Sequence, residues 1–111
     1  MHLENISDVL FNRLAALFPA APTATLSNVS ASASNVTLLA ANANRKRVVV
    51  HNDSTATLYL KFGATASATS FTHKLIGGAV YESPSMPVYT GIIDGIWSSA
   101  TGAARVTEFT S

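Results

Sequence analysis

The 111-residue chain contains no cysteine. That removes disulfide staples, thiolate metal sites and a cysteine nucleophile together, and it leaves the redox compartment undetermined. Charge is also scarce: Asp, Glu, Lys and Arg make up 12% of the residues, and the formal net charge is +1. A protein that tracks a nucleic-acid backbone concentrates Lys and Arg on one face, so this balance gives no argument for nucleic acid as a partner. No apolar run approaches the roughly 18 residues that cross a bilayer, and the N-terminus lacks the basic start and unbroken apolar segment of a secretion signal. The expectation is a soluble protein. Glycine is sparse as well, and Gly77-Gly78 suits a turn better than a phosphate cradle.

What is present is a chain 48% apolar whose surface must draw its polarity from Ser, Thr, Asn and Ala. So little charge suggests that part of the surface is covered by other subunits. The length suits one core, hence a single β domain with an appendage. The domain is organised around the stretch from Arg45 to Gly63. Its first run is β-branched at Val48, Val49 and Val50. Its second alternates, with Leu58, Leu60 and Phe62 on one face and Thr57, Tyr59 and Lys61 on the other. Between them, Asn52-Asp53-Ser54-Thr55 carries side chains that bond their own backbone, the chemistry of a chain reversal.

Residues 1–18 form the one helical pattern. Leu3, Ile6, Leu10, Leu14 and Leu17 recur at spacings of three and four, Glu4 and Asp8 suit the positive end of the helix dipole, and Pro19 marks the exit. Residues 19–35 break the composition: Pro19, Pro22 and a Ser/Ala run predict an extended connector, in which Leu26 and Val29 can seed a short edge strand. A helix folded back over the sheets is the alternative to an arm held away from them. From residue 36 to 111 short strands are expected at 36–40, 45–51, 57–62, 70–75, 79–83, 88–93, 96–99 and 105–110. Turns fall at Asn42-Ala43-Asn44, Asn52 to Ser54, Gly63, Gly77-Gly78, Pro84 with Pro87, Asp94-Gly95 and Gly102. Asp94-Gly95 between two apolar pairs is a strong hairpin signal. Regular short strands without intervening helix argue for an all-β protein, a β-sandwich, with the jelly roll as one arrangement open to it.

These residues also carry a resemblance. Leu39-Ala40-Ala41, Arg45 to Arg47, Asn52-Asp53-Ser54, Leu58 to Gly63, Ala66-Ser67, Ser70-Phe71-Thr72, Tyr89 to Ile92, Gly95-Ile96-Trp97, Gly102 and Val106-Thr107-Glu108 resemble a small β module of tailed bacteriophage virions. The likeness covers about residues 36–109 and includes no catalytic position; the N-terminal helix lies outside it. It implies a structural protein in many copies, a symmetric homo-oligomer working with major capsid, neck or tail proteins, on a virion assembled in the host cytoplasm. A trimer is the expected order, because threefold positions are common on icosahedral shells. Leu3, Ile6, Leu10, Leu14 and Leu17 are the expected docking residues.

His2, His51 and His73 lack metal-site spacing, and His51 reads as a solvated turn histidine rather than a ligand beside Asp53. Asp53, Glu82, Asp94 and Glu108 could include the carboxylate pair of a glycosidase, but Asp53 and Asp94 occupy turn positions, and nothing signals a cleft. No cofactor, metal, nucleic acid or membrane partner is expected, nor an enzymatic activity. Arg45 and Arg47 on one strand face, with Lys46 on the other, read as a solvated strand entrance or a contact with an acidic neighbour. Trp97 reads as a core or interface anchor. A carbohydrate-binding module is the runner-up function, with Trp97 or Tyr59 as its exposed stacking face.

Overall fold

A computed structural model describes residues 7–10, 12–13, 21–84 and 86–111. Eight strands occupy nearly half of them: β1 (Thr23–Ser30), β2 (Val36–Leu39), β3 (Arg45–Asp53), β4 (Leu58–Phe62), β5 (His73–Leu75), β6 (Val80–Glu82), β7 (Ile93–Trp97) and β8 (Ala103–Thr110). They form two four-stranded sheets, β1-β8-β3-β6 and β2-β7-β4-β5, in which every pair is antiparallel. The pairings nest, since β1 pairs β8, β2 pairs β7, β3 pairs β6 and β4 pairs β5.

Alternation places the core. On the first sheet Val48, Val50, Ala104 and Val106 face inward; on the second Leu38, Leu58, Leu60, Leu75, Ile93 and Trp97 meet them, and all belong to one buried cluster. The strict alternation of β4 is what the sequence predicts, with Leu58 and Leu60 fully buried.

Several expectations are corrected. The connector at 19–35 contains an eight-residue strand: β1 pairs β8 from Thr23↔Thr110 to Ser30↔Ala103 without a break, so the sheets begin at Thr23 rather than at residue 36. Its Ser, Thr and Asn read as linker because the strand is exposed at seven of its eight residues and has no buried face to impose an apolar period. The expected Asp94-Gly95 hairpin does not exist. Both residues lie inside β7 and are buried, because the Asp94 carboxylate accepts from Asn35 Nδ2 at 3.1 Å and Thr37 Oγ1 at 3.2 Å. Gly95 is there because a Cβ would lie 3.0 Å from Leu58 Cδ1 and 3.1 Å from Leu38 Cδ1. The strands expected at 88–93 and 96–99 merge into β7, and residues 88–92 are irregular.

Asn52 also departs from its turn reading. β3 runs on to Asp53, and Asn52 is fully buried. Its Nδ2 donates to the carbonyls of Ala56 at 2.8 Å and Leu75 at 2.9 Å, while its Oδ1 accepts from Trp97 Nε1 at 3.1 Å and from Ser54 Oγ at 2.7 Å. The side chain that looked like turn chemistry satisfies the polar groups at one end of the core.

Candidate functional site

Of the expected docking residues only Leu10 is among those described; Leu3, Ile6, Leu14 and Leu17 lie outside them. Residues 7–10 and 12–13 are helical and exposed, with Val9 at 48% and Leu10 at 61% exposure. These two apolar side chains are not covered by the sheets.

Arg45 is not at a surface. A register shift between Arg45 and Arg47 changes the parity of β3, so the two arginines face opposite ways, against the expected shared face. Arg45 is 1% exposed. Its Nε donates to Glu108 Oε2 at 2.8 Å, Nη1 to the carbonyls of Tyr89 at 3.0 Å and Gly91 at 2.9 Å, and Nη2 to the carbonyl of Ala40 at 2.7 Å. A planar fork with five donors suits this clasp. Arg47 remains on the outward side, 3.0 Å from Glu82. Trp97 is a core residue at 2% exposure, which rules it out as an interface anchor or a sugar-stacking face. Tyr59 is half-buried, with Phe71 5.0 Å from its ring centroid and Lys74 Nζ at 6.0 Å.

The carboxylates weighed for acid–base chemistry each serve a structural donor. Asp53 pairs with Arg105 at 3.0 Å, Glu82 with Arg47, Glu108 with Arg45, and Asp94 holds Asn35 and Thr37. Strand register sends Glu108, opposite Val48, to the inner side and Glu82, opposite Val49, to the outer. His51 sits within β3 on its outward row between Arg105 and Val80, not in a turn. No cluster of three or more His, Asp or Glu suited to a metal occurs among the described residues, and none of their helices is long and apolar enough to cross a membrane.

One concave feature was not foreseen. Where the sheets part beside β6, Val48, Phe62, Tyr81, Ser83, Pro84, Pro87, Val88 and Tyr89 line an apolar cleft of about 390 Å³. Phe62 stacks on Tyr89 with centroids 4.8 Å apart and planes 7° apart, and His73 lies 4.2 Å from Tyr81. Burial raises the Tyr81 hydroxyl above its ordinary pKa of 10.0. The irregular wall at 89–92 is pinned by Arg45, by Asn42 N to Thr90 O at 2.8 Å and by Gly63 N to Ile92 O at 2.9 Å. Gly91 has no room for a Cβ because the Tyr89 ring folds against it. The cleft was illegible in sequence because one wall, Val48 of β3 and Phe62 of β4, is distant in the chain from the Tyr81–Tyr89 segment that supplies the rest.

No family model, curated protein or solved structure matches the chain.

Proposed function

We propose that this chain is a non-enzymatic structural protein of a bacteriophage virion, a capsid decoration or cement subunit or a component of the neck. In this reading it is a β-sandwich of jelly-roll type that assembles as a symmetric oligomer and docks on other virion proteins through its N-terminal segment. The nested strand pairing supports the jelly-roll assignment, because a doubled ribbon wound over two sheets generates that connectivity. The observation that carries the reading is the apolar surface left outside the shared core: Val9, Leu10 and Leu26, the last 74% exposed, project from the N-terminal part of a chain with only 12% charged residues. Such a surface completes its burial on a neighbour. The engagement of all four weighed carboxylates by structural donors supports a scaffold over a hydrolase.

The carbohydrate alternative loses its main support with Trp97 in the core. The aromatic cleft does not replace it, since Phe62 already covers one face of Tyr89.

The test uses virions whose own copy of this gene is deleted. Labelled full-length chain is expected to cosediment with them saturably, and Leu10→Asp to weaken that binding at least tenfold while its circular dichroism stays that of the parent. Absence of saturable binding by the parent chain would refute the docking role; unfolding of the variant would place the helix in the core instead.

A further inference from the structure

The four sheet edges are unequal. β5 and β6 have three residues each, and β2 has four with a register shift, so these edges are short or irregular in the ways that keep other strands away. β1 has eight residues in unbroken register with β8. It contains no charge, no proline and no bulge, and seven of its eight residues are exposed. Among the described residues no strand lies on its far side. An edge of this length without protection is a template for pairing.

We infer that the free edge of β1 is the contact between two copies of this chain, antiparallel about a twofold axis normal to the sheet. This rests on the homo-oligomeric part of the proposed function and names the surface it uses. The occupant is a second copy because the strand is self-complementary. With no charged residue between Thr23 and Ser30, its reversed copy meets no like charge. A twofold axis normal to the sheet keeps outward residues opposite outward residues. Leu26 belongs to the outward row, beside Thr107 of β8 and across from Val49 of β3, and it is the most exposed large apolar side chain described. Placing Leu26 opposite its own counterpart buries both, and sets Thr25 opposite Ser27 and Ala24 opposite Asn28. The two four-stranded sheets become one continuous sheet.

The absence of cysteine makes the register testable. Directly opposed residues in an antiparallel pair have Cα atoms about 4.5–5.5 Å apart, within the range of about 4.4–6.8 Å that a disulfide accepts. Leu26→Cys is therefore expected to form a covalent dimer under mild oxidation at micromolar concentration. Asn28→Cys, exposed on the same row, would lie about 14 Å from its counterpart, four residues along at about 3.4 Å each, and is expected to cross-link at least tenfold more slowly. Light scattering of the unmodified chain should give a concentration-dependent mass of two chains, and Leu26→Lys should raise the dissociation constant at least tenfold with unchanged circular dichroism. Equal cross-linking at both positions, cross-linking at neither, a monomer at high concentration or a mass of three chains would overturn the inference. Any of these leaves attachment to virions to be judged by cosedimentation alone.

Discussion

Arg45 ties together three segments: β8 through Glu108, the end of β2 through Ala40, and the cleft wall through Tyr89 and Gly91. Its loss leaves the Glu108 carboxylate only Asn42 Nδ2, at 3.3 Å, and frees three carbonyls around a buried position. Arg45→Met is expected to cost about 3–5 kcal/mol in urea unfolding. Arg45→Lys should recover only part of that, because a single ammonium cannot span acceptors fixed in a plane around a guanidinium. Tyr81 gives a pH signature. Its pKa is raised by burial above the unfolded value, so the folded state keeps the proton that the unfolded state releases. Its contribution is then full below about pH 10 and declines as pH rises through the folded pKa. Tyr81→Phe should remove this part of the alkaline loss in a melting-temperature series; an identical decline in both proteins would assign it to other groups.

At the scale of elements, legibility followed burial. β4 was readable because one face is buried and the other is not, which writes a period of two into Leu58, Tyr59, Leu60 and Lys61. β7 was misread because Asp94 and Gly95 are turn residues in most contexts, and only residues distant in sequence reverse that meaning: Asn35 and Thr37 for the carboxylate, Leu38 and Leu58 for the glycine. Gly95→Ala tests this directly. The new methyl must displace Leu38 and Leu58, both at 4% exposure or less, and is expected to cost about 1–3 kcal/mol by overpacking; a neutral result would mean that the glycine serves no packing role. β1 was under-read for the opposite reason. A strand exposed on both faces has no pattern to display, and only its partner β8 identifies it.

For the whole molecule, the sequence supported an all-β domain with strands at close intervals, and the two antiparallel sheets agree with that. Strand order was illegible, because nesting is a property of pairs such as β1 with β8 that lie at opposite ends of the sheet region. The Arg45 clasp was hidden likewise, because Tyr89, Gly91 and Glu108 lie 44 to 63 positions from it, and the cleft because Val48 and Phe62 close on the distant segment from Tyr81 to Tyr89. The proposed role in a virion draws on the surface rather than the core: sparse in charge, apolar at Leu10 and Leu26, and open along β1. The most direct measurement is the copy number of this chain in purified virions, relative to the major capsid protein, by quantitative mass spectrometry. The account predicts a stoichiometric structural component, in the hundreds for a decoration subunit or about a dozen for a neck position on a symmetric shell. Complete absence from purified particles would contradict it.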